Sequence, residues 1–114
     1  MEKNKFNSIV LNYFIEIKEK YLNDIEKEWE GEEIGSTILV EDYLLPFIYA
    51  NLGNKDIMNR LSNMLEELIS LEDEYCEEVL YCAFFEKIHY DNMEDKFILY
   101  YKDKTKQFFK TLRF

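Results

Sequence analysis

The chain has 114 residues, 47% of them hydrophobic and 17% aromatic, with a net charge of −10. That length suits one domain, and so much apolar material excludes a wholly disordered chain. The charge excludes nucleic-acid binding through phosphate contacts, which draws on an excess of Lys and Arg, but suits a basic protein surface or a groove built for nucleic acid.

Three Gly and one Pro are few for the turns of a β-rich fold of this size. The expectation is therefore an all-α single domain, 1–114, of about five helices joined by short connections. Residues 5–29 read as one long helix, because Phe6, Ile9, Val10, Tyr13, Phe14, Ile17, Tyr21 and Ile25 recur at helical spacing. EGEEIGS (30–36) reads as a break with two glycines. TILVEDYLLPFIYANLG (37–53) starts β-branched but has no second strand to pair with, so a second helix is expected from about Val40. Pro46 either kinks it or lies in its first turn, and Gly53 ends it.

Asn54 is placed to cap a third helix, about 55–70, with Ile57, Leu61, Leu65 and Leu68 on one stripe. Asp73 caps a fourth, about 74–89, whose first turns carry Glu74, Glu77 and Glu78, where the helix dipole favours carboxylates by about 0.3–1 kcal/mol each. This fourth helix looks apolar all round and so central. Residues 92–114 continue as one or two short helices, with Asn92 as a possible cap. Phe97, Ile98, Tyr101, Phe108, Phe109 and Leu112 are their buried candidates.

The fourth helix holds both cysteines and the one histidine. Cys76 and Cys82 are about 240° apart around a helix and point to different faces, so they neither chelate one ion nor bridge within it. Cys82 and His89 share a face near Glu78 and Glu86, which in principle could hold zinc, but no known ligand spacing is present. The expectation is no metal and no cofactor, with both cysteines as small core residues and His89 near the helix end. A glycine-rich phosphate loop and a nucleophile elbow are absent, and the His has no marked Ser or Cys partner, so an enzyme is not expected. There is no export signal and no apolar run of membrane-spanning length, which points to the cytoplasm and reduced thiols.

The segments LVEDYLLPFIYANLG and LSNMLEELISLEDEYCEEVLYCAFFEKI, about 38–90, resemble a family of small helical bacterial immunity-type proteins. The likeness rests on a Leu-rich helix, a short acidic turn, and Asp73, Glu74, Tyr75, Val79, Ala83, Phe84 and Glu86 at the family's positions. Glu72 stands where the family's pattern has a glycine in the turn. The resemblance implies an immunity protein that binds a cognate toxin, of nuclease type, and blocks its active site or substrate groove. Charge agrees, since carboxylates steered to a basic cleft can replace substrate phosphates, with exposed Tyr and Trp as anchors. The expected partner surface is Glu32, Glu33, Asp42, Glu66, Glu67, Asp73, Glu74, Glu77 and Glu78. The alternatives are a phage-encoded nucleic-acid mimic such as an anti-CRISPR protein, and a helical homodimer acting as scaffold or regulator. The chain itself is then a monomer or a homodimer. A further question is whether the basic tail (Lys102, Lys104, Lys106, Lys110, Arg113) folds onto the acidic centre.

Overall fold

In a computed structural model that describes residues 1–28 and 34–114, the chain is all-helical, with seven helices among the described residues. They are α1 (Lys3–Tyr13), α2 (Lys18–Glu28), α3 (36–49), α4 (Lys55–Ser70), α5 (74–90), α6 (Glu94–Phe97) and α7 (Asp103–Thr111). None of the helices is long and apolar enough to cross a membrane.

The expected long first helix is two. Phe14 leaves helical geometry (φ −128°, ψ 72°), and one tight turn, Ile15–Ile17, leads into α2. Arg60 of α4 brackets the break. Its guanidinium donates to the Tyr13 carbonyl (3.0 Å) and to both Glu16 oxygens (3.0 and 2.6 Å), and it lies over the Phe14 ring. The apolar spacing runs on through the bend, because Phe14, Ile17 and Tyr21 still face the core. Spacing alone therefore does not reveal the bend.

Helix α3 begins at Ser36, earlier than Val40. The buried Ser36 explains this. Its hydroxyl donates to Asn7 Oδ1 (2.7 Å) and accepts from Tyr75 (2.7 Å), while Asn7 Nδ2 donates to the Ile34 carbonyl (2.8 Å). This polar chain ties α1, α3 and α5 together and overrides the strand preference of Thr37, Ile38 and Val40. Pro46 lies in the first turn of the α-wound stretch Leu45–Tyr49, which continues directly from a wider stretch. The backbone over Leu39–Leu44 widens to π winding, with Leu45 N–H on the Val40 carbonyl. A proline lacks an N–H and crowds the preceding turn, so a locally opened ladder accommodates it. The helix ends at Tyr49, before Gly53.

Asn54 and Asp73 cap α4 and α5 as expected, each accepting a backbone N–H of the first turn. Between them, Glu72 adopts φ +50°, the left-handed geometry for which a glycine is the usual choice. Asn92 (φ 58°) does not start a helix; it ends α5. Its N–H bonds the His89 carbonyl and Met93 N–H reaches the Ile88 carbonyl, a closed C-terminal cap.

Helix α5 is π-wound over Leu80–Phe85, and this segment packs against the π segment of α3. Its inner side buries Cys76, Val79, Leu80, Ala83, Phe84, Phe85 and Ile88. It is central but not enclosed, since Glu74, Glu78 and Cys82 are exposed. Only Cys76 is therefore a core residue, and Cys82 is a surface thiol. Helix α7 lies on α4. Phe97 and Tyr101 are buried, and Phe108, Phe109 and Leu112 are half-buried against the core, but Ile98 is exposed.

Candidate partner-binding face

Glu74, Glu78, Cys82 and Glu86 recur every four residues along α5. Four residues overshoot an α turn by about 40° and fall short of one turn of the wider π winding. The two drifts offset, so these side chains line up along the helix axis. Burial, and after it the charges of Glu86, Glu78 and, from α3, Glu41, push the Cys82 thiol up. A thiol so surrounded resists ionisation and is a poor nucleophile. Burial and the nearby Asp73 and Glu77 push Cys76 further, to about 12, while its Sγ–H donates to the Leu68 carbonyl (3.4 Å).

No cation among the described residues pairs with Glu41, Asp42, Glu74, Glu78 or Glu86. The ion pairs among the described residues involve other carboxylates: Met1–Asp73, Lys20–Asp24, Arg60–Glu16, Lys87–Asp91 and His89–Glu94. The basic tail does not neutralise this stripe either. Helix α7 docks through its backbone and its phenylalanines, and Lys102 bonds Asn63. Among the described residues Lys104, Lys106, Lys110 and Arg113 make no ion pair.

The structure divides the nine expected residues. Glu32 and Glu33 lie outside the described residues. Asp42, Glu74 and Glu78 are exposed on the α3–α5 side. Glu77 turns instead into a groove with Glu72, Lys104 and Phe108. Three others serve the fold. Glu66 accepts the Lys104 and Thr105 N–H groups and the Thr105 hydroxyl (3.0–3.1 Å). Glu67 accepts the Tyr13 hydroxyl (2.7 Å), raising that phenol to about 12. Asp73 holds the Met1 ammonium at 2.7 Å and caps Cys76 N–H at 3.0 Å, and both contacts lower its pKa.

Glu41 and Glu86 were not among the expected residues. Glu86 was legible from the four-residue spacing that it shares with Glu78 and Cys82, whereas Glu41 depends on how α3 packs. His89 does not join Cys82. Its Nδ1 lies 2.5 Å from Glu94 Oε1 and its ring stacks on Phe114. Among the described residues no three His, Cys, Asp or Glu side chains converge as metal ligands. Comparison with family models, with curated proteins and with solved structures gives no match.

Proposed function

We propose that this chain is an inhibitory binding protein of the immunity type, which neutralises a basic cognate toxin of nuclease type by covering its active site or substrate groove. The observation that carries this reading is the stripe of exposed Glu74 and Glu78 and half-buried Glu86, with half-buried Glu41 beside it, none of them paired with a cation among the described residues. Like charges held together without counterions destabilise the fold that holds them. A basic partner removes that repulsion on binding and is steered to the stripe from a distance. The net charge of −10 supports the same reading, as does the fact that no ion pair among the described residues joins the tail to the stripe.

The test is co-purification of this chain with the product of the gene adjacent to its own, at low and high salt. Binding that weakens with salt and is lost in a Glu78→Lys/Glu86→Lys variant is the expected result. No binding at either salt overturns it. Light scattering and capture by a host nuclease then separate the homodimer from the nucleic-acid mimic.

A further inference from the structure

Beyond α7 the chain does not fray away from the fold. The backbone turns extended at Leu112 (φ −77°, ψ 149°), and the next two residues are held on α5. The Tyr81 hydroxyl donates to the Arg113 carbonyl (2.6 Å), and the Tyr81 ring lies against Phe114 (5.5 Å between centroids). Phe114 also stacks on His89, at 4.7 Å with 24° between the planes. Tyr81, Phe85 and His89 recur every four residues, and Phe85 meets Phe108 and Phe109 of α7. Residues 112–114 thus prolong the α7 contact along one side of α5 as a short strap.

The imidazole beneath the strap also touches an acid, since His89 Nδ1 lies 2.5 Å from Glu94 Oε1. Asp95 lines the same cleft from α6, and Tyr90 meets the ring edge-on at 5.1 Å. Lys96, the base of α6, is exposed and does not line that cleft. The cations nearest in sequence on the other two elements face elsewhere. Lys87 pairs with Asp91 (3.2 Å), and the Arg113 guanidinium folds back onto the Lys110 and Leu112 carbonyls (3.3 and 2.9 Å).

Neutral imidazole satisfies this geometry with one N–H donated to Glu94. Imidazolium gains more, because its charge is attracted to the face of the Phe114 ring as well as to the carboxylate. The carboxylate is there whether or not the strap is closed, whereas the Phe114 face is there only when it is closed.

We infer that residues 112–114 are a proton-controlled strap, which closes on α5 when His89 is charged and loosens when it is neutral. The sign follows from linkage. The closed form favours the protonated ring, so the strap tightens as pH falls through the ordinary histidine range, near 6.5, and loosens as pH rises through it. What the strap controls is how firmly the end of α7 is docked, while Glu66 still holds its start. The device is independent of the partner proposed above.

The test is proton NMR of the whole chain between pH 5.5 and 8, a range in which ordinary carboxylates stay ionised. The reporter is the Tyr81 ring, which touches Phe114 but lies eight residues from the imidazole. Phe114→Ala supplies the positions of its signals with the strap open. As pH rises, the wild-type Tyr81 signals are expected to move toward those positions, with the same midpoint as the His89 Cε1–H signal. The closed-to-open ratio should fall about two- to threefold, the lower range of a cation–π contact because the ring is half-exposed. His89→Phe keeps a stacking ring without a proton to lose, and should hold the Tyr81 signals fixed at every pH. Wild-type Tyr81 signals that do not move between pH 5.5 and 8 overturn the inference. So do signals that move equally in His89→Phe.

Discussion

Glu66 on α4 serves as the N-terminal cap of α7, taking the Thr105 N–H and hydroxyl at 3.0 Å and the Lys104 N–H at 3.1 Å. A residue from another helix thus supplies what Lys102, at the cap position, does not. Glu66→Ala is expected to cost about 1–2 kcal/mol. Amide exchange should rise first in 103–111, and an unchanged exchange rate there would refute the assignment.

The same contacts set an acid limit. Burial would raise the Glu66 pKa, but the Thr105 and Lys104 hydrogen bonds outweigh it and hold the carboxyl below its ordinary 4.5. Arg60 lowers Glu16, and Lys20 with Tyr43 lowers Asp24. Groups with depressed folded-state values add stability that is fully present above the ordinary carboxylate range. That stability is lost as pH falls through the depressed values. Melting temperature should be flat above about pH 5 and fall below pH 4.5. Glu66→Gln should flatten that fall.

Glu72 tests the turn between α4 and α5. Its φ of +50° strains any side chain but glycine. Glu72→Gly should stabilise by about 0.5–1 kcal/mol, relief of strain exceeding the added freedom of the unfolded chain. A denaturant midpoint that falls would show that the Glu72 side chain contributes more than the strain costs.

Asn7 is fully buried and joins Ser36 and the Ile34 carbonyl. Asn7→Ala leaves Ser36 and that carbonyl short of a partner, at about 2–3 kcal/mol. Urea unfolding should show a lower midpoint with the slope unchanged. A loss under about 0.5 kcal/mol would mean that the network relaxes around the gap.

The two thiols should differ. Cys82 is exposed and Cys76 buried, so an anionic disulfide reagent should modify Cys82 alone in the native protein and both once it is denatured. Glu78→Gln with Glu86→Gln should speed the Cys82 reaction by about two- to fivefold, because the carboxylates both raise the thiol and repel the reagent. An unchanged rate would place those charges away from the sulfur.

The helical class, the α4 stripe of Ile57, Leu61, Leu65 and Leu68, and the caps Asn54 and Asp73 were legible because each depends on residues within one or two turns. The bend at Phe14 was not, since it is stabilised by Arg60 from far along the chain. The early start of α3 likewise depends on Asn7 and Tyr75. Of the acidic surface, net charge was legible but role was not. Glu66 and Glu78 look alike in sequence, and only the placement of α7 makes one a cap and leaves the other in water. Ile98 read as core, while the tight turn Ile98–Tyr100 presents it outward.

The facing π windings of α3 and α5 make the length of these helices as consequential as their composition. Each wide turn accommodates residues that α winding would place elsewhere around the axis. Adding one residue within 80–85 would turn everything beyond it by about 100°. Ile88 would swing away from the core, and His89 would leave Glu94 and Phe114. Removing one there lets the wide turn revert to α winding and keeps the register beyond it. Between Asp73 and Asn92 the chain therefore tolerates exchange of outward side chains far better than gain of a single position. An alanine inserted there should abolish folding where charge reversals at Glu78 do not.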